Sequence, residues 1–458
     1  MRPSARTACV VLVLLVAACG PARPTPSAGS SGAGADTCAV RLAPRPAPAA
    51  VSASAPPPAP PSTLVVHAEV PLASVRQNLE TKVGRRVAEE RDHDIGAAGR
   101  LEYTVDRGPF AASVQGDALV IETPLVGHAR ACAKGRCYAG CDPQMKAVAR
   151  VPLRLSAEYR FRPSSVRIDV VRGCEVRALG GLVTVDATPA LRGRLAQEAK
   201  RIEQSIDREL PDLRPQAERL WAELAKARPL PLGACVVVQP EGIVQGAPGG
   251  AGDLARLRFG LVARPEVRAR CGEPPRAAPL PPLRDERDLP EAGDVDLAVV
   301  LAPEAPAIAL EGELGELTLG PRRARARRVT GPATSLAVEL GGDVCGEVAL
   351  GAGSAAWVDD ARVHLAGVSL RAGEPERAAA AGVDLAAAAP KVEAATIPVG
   401  IGPTEVRTLG PDLARGLSDD RVTVTAAVSA ASRGPAYVRG SEVVAVVRAR
   451  GALTVRPK

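Results

Sequence analysis

TPALRGRLAQEAKRIEQSIDRELPDLRPQAERLWAEL, residues 188–224, carries the longest periodic apolar pattern in the chain. Between positions 191 and 224, its apolar side chains recur every three or four residues, which is the spacing of one face of an α-helix. Pro211 and Pro215 lack backbone N–H donors and should kink or split the helix near its middle. The stretch therefore predicts a long amphipathic helix with one break.

Period-two alternation marks the sequence on the N-terminal side of this helix. At residues 151–161 apolar side chains alternate with arginine, serine and glutamate, and residues 166–170 repeat the pattern. Such alternation is typical of an antiparallel sheet with one apolar and one solvated face. Because the apolar stripe of a helix and the apolar face of a sheet must cover each other, we expect an α+β fold. Its curved antiparallel sheets would pack on long amphipathic helices.

The second half of the chain shows the same order of patterns. Strand-like segments, one of them at residues 307–310, precede an Ala-rich helical segment at 375–395, and closing strand patterns follow. The order predicts two similar modules in tandem. The expected parts are a signal peptide at 1–18, a disordered Pro/Ala/Ser-rich tether at 19–61, a first module at 62–271, a Pro-rich linker at 272–293 and a second module at 294–458.

The first twenty residues resemble the export signal of bacterial lipoproteins. Arg2 and Arg6 precede an apolar run at 9–16, and small residues then lead to Cys19 and Gly20. The resemblance implies that Cys19 becomes the first residue and carries acyl groups such as palmitate, which hold the protein to a membrane. Glycine after the cysteine, rather than aspartate, is similar to outer-membrane signals. We therefore expect a cell-envelope protein on the outer membrane, facing the periplasm.

The predicted tether is too poor in large apolar residues to fold alone. Its prolines favour an extended chain, so some forty residues at about 3.1 Å each could reach on the order of 120 Å. Cys38 lies within this segment. A cysteine there indicates that one point of the tether is tied back to the folded body.

Eight cysteines remain after Cys9 and Cys19 are set aside, and an even number in an oxidising compartment predicts disulfides. Their pairing stays open, because eight cysteines allow 105 connectivities. An alternative is a metal site that combines three of them with His128, although paired C-x-x-C spacing is missing. The candidates are Cys38, Cys132, Cys137, Cys141, Cys174, Cys235, Cys271 and Cys345.

Composition limits both the core and the partners of the protein. Hydrophobic residues make up 46% of the 458 residues but Phe, Trp and Tyr only 2%, so the core must consist of Leu, Val, Ile and Ala. The scarcity of aromatic stacking residues and the expected export argue against nucleic acid as a partner. The net charge of +7 favours anionic surfaces such as lipid head groups.

Several segments together resemble a family of bacterial envelope lipoproteins of unknown function. They are the run at 103–109, the cysteine-rich loop, the long helix with Trp221, and residues 235–240. The similarity covers about residues 62–246. The order of helix, curved sheet, long helix and closing strand also resembles the tubular lipid-binding fold of BPI-like and SMP-like domains. This resemblance implies an apolar tunnel between helix and sheet, and the alternative is a solid core.

No catalytic or cofactor motif occurs in the sequence. G-x-S-x-G, G-x-G-x-x-G, P-loop and H-E-x-x-H patterns are missing, so we expect no enzyme, no cofactor and no metal. The best ligand-like cluster, at residues 92–94, lies in a charged stretch, which favours a solvated loop over a metal or catalytic site. In the arginine run at 322–328, Arg323, Arg325 and Arg327 would share one face of a strand. They could contact anionic groups or simply form its solvent side.

The sequence thus favours a non-catalytic, lipid-anchored envelope protein that binds or shuttles a lipid or other apolar ligand. The alternative is a structural scaffold with a solid core, whose protein or cell-wall partner the sequence does not identify. An enzyme would need a cleft that gathers His93 or His128 with acidic residues. The predicted ligand surface comprises Leu191, Leu195, Ile202 and Ile206 on the helix, and Leu153, Leu155 and Tyr159 on the sheet.

Overall fold

The structure is a computed structural model, and its described part covers ten segments of the chain. The predicted signal peptide, Cys19 and most of the predicted tether lie outside them. The described residues are 38–43, 61–94, 100–133, 136–178, 183–186, 188–229, 234–271, 278–418, 420 and 422–458.

Seven α-helices occur within these segments: α1 (Leu72–Lys82), α2 (Thr188–Glu209), α3 (Arg214–Leu224), α4 (Ala305–Leu314), α5 (Pro375–Ala380), α6 (Ala389–Ala394) and α7 (Pro403–Leu417). The strands of the first 300 residues are β1 (Val40–Arg41), β2 (Ser62–Pro71), β3 (Arg86–Asp94), β4 (Arg100–Arg107), β5 (Ala111–Gln115), β6 (Ala118–Ala133), β7 (Arg136–Cys141), β8 (Gln144–Pro152), β9 (Ser165–Arg172), β10 (Glu175–Ala178), β11 (Val183–Asp186), β12 (Arg228–Pro229), β13 (Cys235–Gln245), β14 (Gly249–Ala251), β15 (Leu254–Arg268), β16 (Arg284–Asp285) and β17 (Gly293–Val300). The later strands are β18 (Glu316–Leu319), β19 (Arg322–Thr330), β20 (Leu336–Gly342), β21 (Val344–Gly351), β22 (Ser354–Trp357), β23 (Arg362–Ala366), β24 (Ser369–Arg371), β25 (Thr396–Pro398), β26 (Val422–Arg439) and β27 (Glu442–Pro457).

The predicted fold class is wrong, because the protein is mostly β. Strands take up 52% of the structure and helices 21%. One long apolar stripe at 188–224 gave the strongest local signal, whereas many short Ala- and Val-rich strands each gave a weak one. Even that stripe forms two helices, since α2 ends before Pro211 and α3 begins at Arg214. The expected break at the prolines is therefore present.

A seven-stranded antiparallel sheet forms the part of the fold that carries α1 and α2. Its strand order is β3-β4-β6-β8-β9, with β5 and β7 also pairing with β6. The long strand β6 spans residues 118–133 and is the common partner of β4, β5, β7 and β8. The helix α2 lies against β9 at one edge of this sheet.

A nine-stranded sheet joins the two halves of the chain, so the prediction of two tandem modules is also wrong. Strand β27 pairs in parallel with β2 and antiparallel with β17, and β15 pairs with β2, β13 and β17. Glu69 on β2 is 2% exposed and binds both Arg256 and Arg456. Burial raises the pKa of Glu69, but the hydrogen bonds and charges of the two arginines outweigh it and hold the pKa below its usual value.

The segment at 278–293 takes part in this sheet as well. Strand β16 pairs with β13, and Leu283 and Leu289 are buried. The boundaries proposed for the linker stay a prediction, but this part of it is packed against the body.

The largest apolar core lies mainly in the second half of the chain, and Leu42, Val236 and Val267 of the first half also belong to it. The sheet β1-β21-β20-β19-β18, with β24 on β21, packs against α4 and the sheet β22-β23-β25. Residues 307–310, predicted as a strand, lie in α4. A short continuous apolar run does not distinguish a strand from a buried helix, and Pro306 in the first helical turn favours the helix.

Four disulfides confirm the expectation that the cysteines pair. They join Cys38 to Cys345, Cys132 to Cys137, Cys141 to Cys174 and Cys235 to Cys271, with Cα–Cα distances of 3.9–5.8 Å. Cys38 therefore ties the predicted tether back to the body, as its position indicated. The cysteine cluster at 132–141 offers no free thiolate to a metal ion, because all three of its sulfur atoms are in disulfides.

Candidate apolar-ligand site

Polar side chains fasten α2 to the chain around β9. Glu203 Oε1 accepts the backbone N–H of Val166 at 2.7 Å, and Asp207 Oδ1 accepts that of Ser164 at 2.8 Å. At the other end of the helix, the hydroxyl of Thr188 accepts the backbone N–H of Cys174 at 3.1 Å. These bonds hold the helix along one edge of the sheet and leave its apolar stripe directed across the sheet face.

An apolar groove of about 720 Å³ lies between α1, α2 and this face. Strands β3, β4, β6, β8 and β9 form its floor, and the two helices form its walls. The residues that line it are mainly aliphatic: Leu79, Val83, Val87, Ala88, Val105, Phe110, Ile121, Leu125, Ala147, Ala149, Val151, Val166, Ile168, Leu195, Ile202, Ile206 and Leu210, together with Lys82, Gly84, Arg86, Arg107, Thr123, Glu198, Ser205 and Glu209.

Among the described side chains, a small buried cluster packs α2 against the sheet. In it, Leu195 packs with Val105, Leu125 and Met145. Further along the helix, Ile202 lines the groove although 42% of it is exposed. The apolar surface of α2 and the sheet is therefore covered at one end of the groove and open at the other.

Arg107 holds the C-terminal end of α1, the helix that forms one wall of the groove. The side chain of Arg107 is 4% exposed, and its guanidinium donates to Glu80 and to the backbone carbonyls of Val83 and Gly84. Glu80 also accepts the backbone N–H of Phe110 at 2.8 Å. This N–H and the Arg107 guanidinium lower the pKa of Glu80. With its donors engaged in these bonds, Arg107 acts as a clamp.

Charged side chains stand at the rim of the groove. Arg86 pairs with Asp106 at 3.2 Å, and Glu198 with Arg201 at 3.3 Å. Lys82, on the last turn of α1, is exposed. An apolar interior with a charged rim suits an amphipathic molecule whose apolar part is enclosed and whose polar end stays in water.

The model of a protein family described as a domain of unknown function matches residues 60–304, more than half of the chain. The chain belongs to this family, DUF4403. A search of curated proteins gives no match. All residues that line the groove, from Leu79 to Leu210, lie inside the DUF4403 region.

The structure brings together three of the predicted ligand-surface residues of this DUF4403 region. Leu195, Ile202 and Ile206 line the groove. Leu191 lies in α2, but its side chain is outside the described part of the structure.

Leu153, Leu155 and Tyr159, the predicted partners on the sheet, are buried elsewhere. They follow β8 in a turn where Tyr159 has a φ of 64° and its hydroxyl donates to the Pro281 carbonyl at 2.8 Å. Gln245, which is fully buried, accepts the N–H of Leu155 and donates to the carbonyl of Leu153. These contacts attach the turn to β13, away from the groove.

Sequence reasoning missed most of the groove floor. Ala147 and Ala149 lie on the same face of β8 as Val151, the first residue of the predicted alternation, and continuing that alternation backwards would have found them. Val87 and Ala88 on β3 follow no clear alternation, because β-bulges interrupt that strand.

The remaining candidates lie apart from the groove. His128 Nδ1 is 2.8 Å from the Asp142 carboxylate on the surface. The side chains at 92–94, including His93, are outside the described part. Arg323, Arg325 and Arg327 lie on the exposed face of β19. Within the described residues, no helix is both long and apolar enough to cross a membrane.

Proposed function

We propose that this protein is a non-catalytic, lipid-anchored envelope protein whose groove binds the acyl part of a lipid or a similar apolar ligand. The observation that carries the proposal is the open apolar space between α2 and the seven-stranded sheet. Its volume of about 720 Å³ falls within the roughly 300–1,000 Å³ of small-molecule sites.

The length of the groove suits an acyl chain. From Leu195 to Leu210 the helix rises by about 22 Å, at about 1.5 Å per residue. One leaflet of a bilayer core is about 15 Å thick, half of the usual 30 Å. An acyl chain of a membrane lipid can therefore lie along α2 with its head group at the charged rim.

The proposed location supports a lipid as the ligand. The sequence at Cys19 predicts an acylated N-terminus, and the four disulfides suit an oxidising compartment outside the cytoplasm. We place the protein on the outer membrane, facing the periplasm, where membrane lipid is within reach of the groove.

Native mass spectrometry of protein purified from its own envelope tests the proposal directly, because a bound lipid adds its mass to the intact protein. A delipidated sample should then take up a fluorescent fatty acid. Ile202→Glu places a charge in the groove and should abolish uptake, whereas Ala196→Glu, on the exposed side of the same helix, should not. The absence of any co-purified lipid together with equal uptake by both variants would refute the proposal.

A scaffold role is the rival, and the large buried core of the second half favours it. A scaffold depends on the reach of its tether, while a ligand-binding protein does not. Removal of residues 20–37 should leave fatty-acid uptake unchanged if the groove is the functional site.

A further inference from the structure

The first described residues fix where the anchored end of the chain leaves the folded body. Cys38 is bonded to Cys345 at the start of β21, and β1 pairs in parallel with β21. The backbone N–H of Val40 donates to Asp343 and that of Leu42 to Cys345. Leu42 is 6% exposed and belongs to the core of the second half. The chain is therefore attached at this point by a disulfide, hydrogen bonds and a buried side chain.

This attachment shortens the reach of the body from its proposed anchor. The chain from Cys19 to Cys38 can span at most about 65 Å, at roughly 3.4 Å per residue. The same chain counted to β2 would reach more than twice as far. The proposed anchor is therefore attached to the body at the sheet that contains β21.

The outer face of this sheet carries a row of arginines on β19. Ala324, Ala326 and Val329 point into the core, while Arg323, Arg325, Arg327 and Arg328 are exposed. Strict alternation would place Arg328 on the buried side. A β-bulge between residues 326 and 328 leaves both Arg327 and Arg328 at the surface. Arg41 on β1 and Arg371 on β24 are exposed on strands of the same sheet.

The acidic residues of this face do not cancel its charge. Glu316, Glu339 and Glu347 are the exposed carboxylates on the described strands of the sheet, and Asp343 lies in the turn before β21. Glu316 pairs with Arg323 at 3.5 Å. Six arginines against these four carboxylates leave a net positive face. Strands β1 and β19 are three positions apart in the sheet, about 14 Å at the usual strand spacing, so the arginine row lies close to the exit of the anchor.

We propose that the outer face of the sheet β1-β21-β20-β19-β18 docks on an anionic lipid surface. The anchor brings this face to the membrane, and the β19 arginines bind its phosphate groups. The inference rests on the proposed acylation of Cys19 and is independent of ligand binding in the groove.

Vesicle co-sedimentation tests the proposal on the full chain with Cys19→Ala, so that no acyl group contributes to binding. One set of vesicles is pure phosphatidylcholine, and the other is an equal mixture of phosphatidylcholine and phosphatidylglycerol. Each basic residue near an anionic surface strengthens binding about fivefold. Arg323→Gln, Arg325→Gln and Arg327→Gln together should therefore weaken binding to the mixed vesicles by tenfold or more.

The matched control removes three exposed arginines elsewhere, Arg167→Gln, Arg172→Gln and Arg219→Gln, and lowers the net charge equally. It should bind as the parent does, and replacement of the three β19 arginines by lysine should retain binding. Equal losses in both glutamine variants would show a general charge effect and overturn the proposal. Equal binding to the two vesicle types, or to neither, would overturn it as well. Fatty-acid uptake by the same variants should not change, which separates this outcome from failure of the groove.

Discussion

Ala149→Trp distinguishes an open groove from a solid core by the sign of its effect on stability. Ala149 lies in the middle of β8, opposite Ile121 on β6 and Val166 on β9, and lines the groove. A tryptophan there would extend from the sheet towards α2 and fill the space proposed for an acyl chain.

The magnitude follows from the apolar area that the indole can bury. A tryptophan buries about 150–250 Å². If about 100 Å² of additional area meets the aliphatic lining, the gain is about 2.5 kcal/mol at 25 cal/mol per Å². Ordering the side chain costs about 1 kcal/mol. The ligand-free protein should therefore become more stable by about 1–1.5 kcal/mol, whereas overpacking a filled core would cost about 1–3 kcal/mol.

Urea denaturation and displacement of a fluorescent fatty acid measure the two effects on the same sample. Ala149→Trp should unfold at higher urea concentration and lose fatty-acid binding. Ala196→Trp, on the exposed side of α2, should change stability by no more than about 0.5 kcal/mol and keep binding. If Ala149→Trp lowers stability by more than about 1 kcal/mol and still binds as the parent does, the space is not an open ligand groove.

Three further predictions concern the contacts that hold the body together. Because the pKa of Glu69 is lowered in the folded state, its stabilisation is complete above the unfolded pKa of about 4.3 and is lost as the pH falls through the folded pKa. Glu69→Gln weakens the hydrogen bonds to the two arginines and should cost about 1.5–3 kcal/mol at pH 7. It should also flatten the acid side of a stability profile, and an unchanged profile would contradict this. Gln245→Leu leaves the N–H of Leu155 and the carbonyl of Leu153 without this partner. It should lower the free energy of unfolding, measured by urea denaturation, by about 2–4 kcal/mol. A decrease of less than about 1 kcal/mol would contradict this prediction. Cys38→Ser combined with Cys345→Ser should increase the distance from the membrane to a fluorophore on β21 in the anchored protein, measured by energy transfer to a labelled lipid. If the distance is the same as in the parent protein, the pairing of β1 with β21 is enough to fix the exit point without the disulfide.

The helix wall of the groove could be predicted from the sequence, but the sheet floor could not. The stripe of α2 and its end before Pro211 depend on local spacing and on the missing N–H of proline, both of which are visible in one segment. The floor is lined partly by alanines such as Ala147 and Ala149, which carry little hydrophobic signal. Tyr159 gave a stronger signal than either, but Gln245 and the Pro281 carbonyl hold its turn against β13 instead.

The joining of the two halves also had no local signal. Strand β27 contains the continuous apolar run VVAVV at 443–447, which indicates a strand buried on both faces. Nothing in its sequence shows that its partners are β17 and β2, more than a hundred residues earlier. The two halves of the chain show a similar order of predicted helices and strands, and this order suggested two modules. In the structure, strands that are distant in sequence pair and form one sheet across both halves.

This pairing predicts that the DUF4403 region does not fold alone, although the family match ends at residue 304. A chain ending there would lack β27 and leave the edges of β2 and β17 unpaired, with Val65 and Val299 losing their neighbours on the missing strand. Unpaired strand edges that expose apolar side chains promote aggregation. The truncated chain should therefore be insoluble when expressed alone, and co-expression of residues 305–458 should restore soluble, co-purifying protein. A soluble truncated chain that unfolds cooperatively would show that the central sheet does not depend on β27, and the family region would then be a domain in its own right.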